Sequence, residues 1–438
     1  MTRSRRLLRL ATAGGLAALV VLATGSPAGA EPATTVSYPA WSSATRYVGL
    51  AFDACAAPPL SSIQAWNASP YRAIAVYMGG VNRTCLQPQL TKSWVTAVTG
   101  LRWSLLPVYK GLQPPCGGKA TDQKIVPARA ASQGTAAADD AAARGKALGM
   151  LRGSAFYNDI ENYATTNATC RTAVLTYLSA WTRELHRLGY ISGVYVNLSS
   201  GAPDLSRVYT STAYARPDAL WIARYDGNSS LAGWAGISDQ QWAAHQRAKQ
   251  YRGGHDETYG GVTINIDNDN VDAPVATVSY RYTATGKNPV KARTGPGTSY
   301  PYLKTYLPGS TLPVICQTHG SLFGTTSVWD RLTDGTFVTD YRVSTPSKTT
   351  YSAPVTRCMY PYQVTAANGL TEHTGPSASS PAAGLLRGGA LGWVTCQQAG
   401  TRVGTTAVWD KLRDGHWVSD YYLATPSKTT YAAPVPRC

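Results

Sequence analysis

Phenylalanine, methionine and acidic residues are scarce in this sequence. It has 4 Phe and 4 Met beside 27 Tyr and 12 Trp, in a chain of 438 residues. Charged residues make up 15%, and 24 acidic residues oppose 40 basic ones, which gives a net charge of +16. A low charge content with many aromatic rings excludes a disordered polyelectrolyte. The positive charge favours an anionic partner without identifying it, and the length predicts several domains at about 100 to 200 residues each.

Several motifs of ligand binding are also missing. No pair of cysteines has the CxxC spacing, and the 6 histidines form no HExxH pair, so a structural zinc site is not expected. No GxGxxG follows the first apolar run and no GxxxxGK[ST] occurs, which removes the main support for nucleotide binding. We therefore predict no cofactor and no metal. Nucleic acid is not an expected partner, because no basic motif with stacking aromatics is present.

The first 30 residues have the pattern of an export signal. Arg3, Arg5, Arg6 and Arg9 precede an apolar segment at 11–22 and the small residues Ala28-Gly29-Ala30. The segment from Ser4 to Arg9 resembles a twin-arginine signal. No later apolar run approaches the roughly 20 residues of a membrane span. We expect a secreted chain, associated with the cell wall, that has no transmembrane segment after removal of residues 1–30.

The cysteines are even in number, which in an exported chain indicates disulfides. In the C-terminal half, Cys316 and Cys358 are 42 residues apart, as are Cys396 and Cys438, and each pair is predicted to form one bond. The other four allow three pairings, among which the sequence does not choose: Cys55, Cys85, Cys116 and Cys170.

The C-terminal part is a tandem repeat of about 80 residues. Residues 316–358 align without a gap on 396–438 with 27 identities in 43 positions. Short runs of Val, Trp and Tyr alternate with Gly, Pro and Asp-Gly turns, which predicts a small all-β barrel in each unit. We place the units at 279–358 and 359–438, each with an internal disulfide that compensates for a small core.

The first unit resembles a bacterial SH3 domain. It keeps Arg293, the Gly295-Pro296-Gly297 turn and Trp329 of that signature, whereas the second unit has Glu372-His373-Thr374 at the arginine position. The resemblance implies binding of cell-wall peptides or glycans, and a spacer or self-association module remains the alternative.

The repeats also carry a surplus of positive charge, because residues after 275 include 15 basic and 7 acidic side chains. Such a surplus is suited to retention on an anionic polymer.

Residues 31–275 alternate apolar runs with helical segments. Seven runs, from VGLAFDAC at 48–55 to VTINIDND at 262–269, predict strands, and an eighth fits weakly at 245–251. A helix is predicted at 171–188 by apolar residues spaced 4, 3, 4 and 3 apart. The alanine-rich segment 129–150 predicts another. Buried strands of this kind are typical of a parallel sheet. The fold class we expect is α/β, a (β/α)8 TIM-like barrel, with an open doubly wound sheet as the alternative.

Acidic residues follow several of these runs at their carboxyl ends. In a barrel they meet at one face, where barrel enzymes perform their chemistry, and Asp159 and Glu161 point the same way because they are two apart. Clustered carboxyls raise one another's pKa, as glycosidic cleavage requires. The candidate catalytic residues are Asp53, Asp159, Glu161 and Asp267. The candidate substrate-binding residues at the same ends are Tyr77, Tyr109, Tyr157, Tyr195, Asn197, Trp221 and Arg224. For Asp269 and Asp272 we prefer a structural role.

The segments FDAC, YMGG, PVYKGLQ, FYNDIEN, LWIARYDG and INIDNDNVD resemble the glycoside-hydrolase-like domain of exported actinobacterial proteins known as DUF1906. That domain is similar to family 25 lysozymes, whose pattern of Asp, D-x-E and Asp is matched by Asp53, Asp159-Ile160-Glu161 and Asp267. The resemblance implies a (β/α) barrel that acts on peptidoglycan, with Glu161 as general acid.

Three functions are therefore open. The first is a muramidase-like glycoside hydrolase held on the wall by the SH3-like repeats. The second is a non-hydrolytic protein that binds peptidoglycan or another cell-wall polysaccharide, or serves as a wall scaffold. The third is a wall peptidase or amidase, suggested by Cys55 next to Asp53.

Overall fold

The computed structural model describes residues 45–243, 245–433 and 435–438. The expected export signal at 1–30 lies outside these residues. Within them, no helix is both long enough and apolar enough to cross a membrane.

The N-terminal half forms a closed barrel of eight strands, which confirms the predicted fold class. Helices follow the first five strands and cover the outside. In chain order the elements are β1 Thr45–Asp53, α1 Leu60–Ala65, β2 Ala73–Gly79, α2 Lys92–Gly100, β3 Ser104–Tyr109, α3 Ala130–Ala147, β4 Ala155–Ile160, α4 Ala168–Leu188, β5 Ile191–Asn197, α5 Gly201–Arg207, β6 Ala219–Ala223, β7 Arg247–Tyr259 and β8 Val262–Val275.

The last strand runs against the others, which differs from the all-parallel order we expected. β7 is parallel to β6, but β8 is antiparallel to both β7 and β1. Gly260 and Gly261 form the turn between β7 and β8 with φ of +55° and +78°, a conformation that favours glycine. The chain therefore returns down the barrel in a hairpin, and no crossover helix separates β7 from β8.

The barrel interior is filled in layers. Below the acids the strands contribute mainly small side chains, with Tyr157 and Trp221 as the large ones. The alternate side chains face outward and pack on the helices, as Phe52 and Phe156 do.

The longest helix, α4, has a cap at each end. It begins at Asn167, whose Oδ1 accepts a hydrogen bond from the Cys170 N–H at 3.0 Å, and it ends at Gly189 with φ of +86°.

The two C-terminal repeats have the same topology. Each is a six-stranded antiparallel sheet that curls into a small barrel. The first contains β9 Tyr280–Thr283, β10 Val290–Arg293, β11 Tyr302–Tyr306, β12 Thr311–Phe323, β13 Thr326–Leu332 and β14 Phe337–Thr339. The second contains β15 Tyr360–Gln363, β16 Leu370–His373, β17 Ala382–Leu386, β18 Leu391–Val403, β19 Thr406–Leu412 and β20 Trp417–Ser419.

All four disulfides form. The predicted bonds Cys316–Cys358 and Cys396–Cys438 are present, one in each repeat. The open choice among the other four cysteines is settled as Cys55–Cys85 and Cys116–Cys170. The described residues include no free cysteine.

The second repeat covers the lower end of the barrel, opposite the acids. Met359, Leu391 and Trp393 join the buried cluster of the barrel interior, which reaches them through Val275. We call these three side chains the floor. The equivalent positions in the first repeat, 80 residues earlier, are Ser279, Thr311 and Pro313. This contact with the barrel interior is therefore specific to the second repeat, whereas Tyr280 of the first repeat packs on the outer core of the barrel half.

Candidate active site at the barrel mouth

Five acidic side chains converge at the upper end of the barrel, which we call the mouth. Asp53 ends β1, Asp159 lies on β4, and Glu161 directly follows β4. Asp267 and Asp269 lie on β8, where Asp267 pairs in register with Asp53. Because β8 runs downward, Asp267 reaches the mouth from the upper part of a reversed strand. It does not follow a strand end as the sequence analysis assumed.

Gln250 on β7 bridges two of these acids. Its Nε2 donates hydrogen bonds to Asp53 Oδ2 at 2.6 Å and to Asp267 Oδ2 at 2.9 Å. Its Oε1 accepts from the hydroxyls of Tyr195 at 2.7 Å and Tyr225 at 2.8 Å. Both ends of the amide are engaged, so Gln250 fixes the separation of Asp53 and Asp267. Sequence reasoning missed Gln250 because it lies in the most weakly predicted strand.

Asp269 lies beneath this pair and is fully buried. The indole Nε1 of Trp221 donates to its Oδ1 at 3.0 Å. Burial, and then the charges of Asp53 and Asp267, raise the pKa of Asp269 well above its usual range. A protonated Asp269 can donate to Asp53, with which its side chain interacts. The structural role that the sequence analysis preferred for Asp269 stays a prediction.

Burial is also the main cause of the raised pKa values of the other acids. It raises the pKa of Asp53 to about 7, with the charge of Asp267 as the second cause. It raises the pKa of Asp159 to about 7, although the Lys110 ammonium acts in the opposite direction. The pKa of Asp267 is likewise raised by burial. Near neutral pH the mouth therefore carries less negative charge than its carboxyl count suggests.

Lys110, just after β3, is the most important residue that the sequence analysis did not single out. Its ammonium lies 3.3 Å from Asp159 Oδ2 and forms an ion pair with Glu161 Oε1. Burial lowers the pKa of Lys110, but Asp159 and Glu161 outweigh it and the net shift is upward. The Lys110 side chain is 12% exposed and that of Glu161 is 38% exposed. A buried cation is thus bound to both acids of the D-x-E motif.

Gln113 fixes the backbone of that motif. Its Nε2 donates to the Asp159 carbonyl at 2.8 Å, and its Oε1 accepts from the Glu161 N–H at 2.9 Å. Gln113 is fully buried. The direction in which Asp159 and Glu161 project is therefore set by a side chain from another part of the chain.

The predicted substrate-binding residues divide into two groups. Tyr77 and Tyr195 lie in the mouth, where the Tyr77 hydroxyl is 3.4 Å from Asp53 Oδ1 and Tyr195 contacts Gln250. Two open hollows of about 220 and 340 Å³ lie there. The first is lined by Asp53, Tyr77, Lys110 and Asp267, and the second by Glu161, Tyr195, Asn197, Arg224 and Tyr225.

Three predicted aromatic residues are placed elsewhere. Tyr109 faces outward, donates to Asp140 Oδ2 at 2.8 Å and packs on Trp181. Tyr157 is fully buried in the interior, donates to the Pro274 carbonyl at 2.7 Å and meets Trp221 edge to face. These rings are inaccessible to a sugar. Tyr109 lies at a strand position whose side chain points outward to the helices, and Tyr157 and Trp221 lie too deep in the barrel interior.

Cys55 and Cys85 also line the first hollow, but they are joined in a disulfide. No thiol nucleophile is therefore available at that position.

The acids of the mouth are not spaced closely enough to share one metal ion. In the described part of the chain, the group with the spacing of a metal site consists of Glu372, Asp414 and His416, in the second repeat.

The family model described as Rv2525c-like, glycoside hydrolase-like domain matches residues 64–271. No match was found among curated proteins. Among solved structures, the Tat-secreted protein Rv2525c of Mycobacterium tuberculosis is 15% identical, with 51% of this chain and 96% of that chain covered at a TM-score of 0.38. A family 25 glycosyl hydrolase from Bacillus anthracis is 14% identical, covering 52% and 93% at a TM-score of 0.31. The catalytic domain of endolysin ply40, from bacteriophage P40 of Listeria monocytogenes, is 11% identical, covering 52% and 94% at a TM-score of 0.32.

Proposed function

We propose that this chain is an exported glycoside hydrolase that cleaves bacterial cell-wall glycan in the manner of a muramidase. The match of residues 64–271 to the Rv2525c-like, glycoside hydrolase-like family model supports this proposal. The observation that carries the proposal is the convergence of Asp53, Asp159, Glu161 and Asp267 on one barrel mouth. Glycosidic cleavage needs a proton donor for the leaving oxygen and carboxylates beneath the sugar ring.

The exposure of each acid suggests its role. Glu161 is the most accessible of the D-x-E pair, so it is our candidate for the general acid that meets the glycosidic oxygen. Asp53, Asp159 and Asp267 lie around it, and their ionised forms can stabilise the positive charge that develops on the sugar. Tyr77 and Tyr195 border the path of the glycan and offer ring faces and hydroxyls to it.

The Lys110 ion pair imposes a condition on this mechanism. A general acid must carry a proton when the bond breaks, whereas Glu161 binds the Lys110 ammonium. In our proposal the incoming glycan separates the pair, Lys110 stays with Asp159, and Glu161 is left to take up a proton and to donate it. Without that separation the mouth binds a glycan and does not cleave it.

The same ion pair favours a second candidate function, a non-hydrolytic protein that binds wall glycan. In that case Lys110, Asp53 and Asp267 bind sugar hydroxyls and acidic groups, and Glu161 stays paired. We do not pursue a cysteine peptidase or amidase, because Cys55 is bonded to Cys85.

The repeats suggest how the chain stays on the wall. Their surplus of basic residues, 15 against 7 acidic after position 275, suits a salt-sensitive attraction to an anionic polymer. The predicted signal at 1–30, the resemblance to bacterial SH3 domains and the four disulfides support an extracellular, wall-associated location as part of the proposal.

The test is to incubate purified peptidoglycan with the wild type, Glu161→Gln and Lys110→Met, and to assay new reducing ends, new amino groups and sedimentation of the protein with the wall. The matched control is Glu184→Gln, which removes a glutamate that is ion-paired with Arg187 near the end of α4 and does not line the mouth. Hydrolysis predicts reducing ends with the wild type and the control and a loss of about a hundredfold or more with Glu161→Gln. Reducing ends that persist in Glu161→Gln refute the assigned acid. Binding without release by the wild type supports the second candidate.

A further inference from the structure

We propose that Glu372, Asp414 and His416 of the second repeat bind a divalent transition-metal ion, for which zinc is the best-suited metal. The inference does not depend on what the barrel mouth does. One imidazole nitrogen with carboxylate oxygens is a donor set typical of zinc in proteins.

The three side chains come together from different parts of the repeat. Glu372 lies on β16, and Asp414 and His416 lie at the turn that joins β19 to β20. β16 pairs with β20 through His373 and Trp417, which places Glu372 next to that turn. One ligand atom from each residue lies within 4.8 Å of the others. Bonds of about 2.0 to 2.2 Å to zinc require only a small inward movement of these side chains.

Two polar groups in this cluster form no hydrogen bond. Glu372 is 9% exposed, and no residue in the described ranges forms a hydrogen bond or an ion pair with its carboxylate. The Nδ1 atom of His416 is buried without a hydrogen-bond partner and lies 3.6 Å from Asp414 Oδ2. A carboxylate on a largely buried residue and a buried ring nitrogen are costly when they form no hydrogen bond, and a cation placed between them would interact with both.

The first repeat shows what this position looks like without a metal. There the equivalent residues are Ala292, Asp334 and Thr336. Asp334 Oδ2 accepts from the Tyr306 hydroxyl at 2.8 Å and its carboxylate pairs with Lys304 at 2.5 Å. The carboxylate of the first repeat is therefore neutralised by a lysine.

In the second repeat that lysine is replaced by Gly384, and Tyr306 by Leu386. Glu372 occupies the space above this glycine, since a Cβ added to Gly384 would lie 2.1 Å from Glu372 Oε2. The repeat has thus lost the internal cation and gained two ligand-type side chains at the same place. This exchange is expected if an external cation neutralises Asp414.

Groups of the barrel surround the cluster. Burial and the charge of Asp414 raise the pKa of Glu372, while His416 and His245 act to lower it. His245 Nδ1 lies 2.9 Å from Asp272 Oδ2. Arg46, which interacts with Asp414 and is 3.8 Å from Asp272, opposes a cation.

The experiment is calorimetric titration of the metal-stripped full chain with ZnCl2, supported by the visible absorption of Co²⁺. Glu372→Ala and His416→Thr introduce the residues of the first repeat, so the fold should accept both. The matched control is His373→Arg, which removes a neighbouring histidine and also restores the residue of the first repeat. We expect one ion per chain, a dissociation constant raised about tenfold or more by each test variant, and no change in the control.

Equal binding by the wild type and the Glu372→Ala/His416→Thr double variant would overturn the proposal, as would an equal loss in His373→Arg. Thermal melting with and without ZnCl2 gives a second measure. A zinc-dependent rise in melting temperature is expected in the wild type and should be absent in the double variant.

Discussion

Lys110 Nζ lies 3.3 Å from Asp159 Oδ2 and also binds Glu161, so the cation connects the buried acid of the D-x-E motif to the accessible one. Because Lys110 lowers the pKa of Asp159 against the effect of burial, its removal should let Asp159 keep its proton to higher pH. We therefore expect the ion pair to influence the pH range in which the site is active.

Lys110→Met tests whether the ion pair influences this pH range. We expect the acidic limb of the hydrolysis profile to move upward by about one pH unit, since Asp159 acts in its ionised form and the lysine charge no longer lowers the pKa of Asp159. The measurement is reducing-end release from peptidoglycan across pH. Lys249→Met, which removes another buried lysine paired with an aspartate at 2.9 Å, is the control. An unshifted limb would contradict this role of Lys110.

Gln250→Leu tests the bridge between Asp53 and Asp267. The substitution removes two donors and an acceptor from buried partners, so we expect the free energy of unfolding to fall by about 1 to 3 kcal/mol. Peptidoglycan binding should weaken as well, because the two acids lose their fixed separation. Denaturant unfolding and wall sedimentation measure the two effects. Tyr225→Phe, which removes one of the four contacts, should have a much smaller effect on both.

Asp269→Asn tests the protonated acid beneath the mouth. A carboxyl whose pKa is raised on folding contributes stability below its unfolded pKa, and this contribution is lost as pH rises through the folded value. Asn mimics the neutral form and can keep the Trp221 contact. We expect the variant to exceed the wild type in free energy of unfolding by about 1 kcal/mol or more at pH 8, and to lose that advantage near pH 4.

The control for this pH dependence is Asp226→Asn. The hydrogen bond from Lys249 is the main cause of the lowered pKa of Asp226, so this variant should show no gain at pH 8. Chemical denaturation across pH distinguishes the two. A gain for Asp269→Asn that does not change with pH would mean that the acid is already ionised.

Leu391→Thr tests the floor. Thr is the residue of the first repeat at this position, so the repeat should still fold, but the buried contact with the barrel interior is weakened. We expect a loss of about 2 kcal/mol or more, as for other large reductions of buried apolar volume. The reverse change Thr311→Leu, at an exposed position of the first repeat, is the control and should have little effect. Equal stability of the two variants would show that the floor contributes nothing.

Much of the barrel follows from local patterns. Buried apolar strands with helices between them identify the barrel, and the period of two along a strand places Asp159 and Glu161 on one face. The direction of a strand cannot be predicted in this way, because an apolar run has the same pattern whether the strand is parallel or antiparallel to its neighbours. The reversal of β8 depends on the Gly260-Gly261 turn, which a sequence of many glycines does not single out.

The contacts that pass between distant segments were not predictable in this way. Lys110 lies in a motif used for the resemblance, yet its role depends on the approach of a loop to β4. Gln250 is in a strand with no apolar run, and β7 alternates half-buried and exposed residues only beyond its first four residues, which are all buried. Glu372 and His416 are brought together by strand pairing inside the repeat.

The floor has a consequence for the order in which the chain matures. Met359, Leu391 and Trp393 leave the ribosome well after β8, so the lower opening of the barrel faces water throughout the synthesis of the first repeat. During that interval the lining of small apolar residues is a surface to which chaperones can bind. The N-terminal half thus completes its burial only when the C-terminal half has folded, which couples quality control of the two halves.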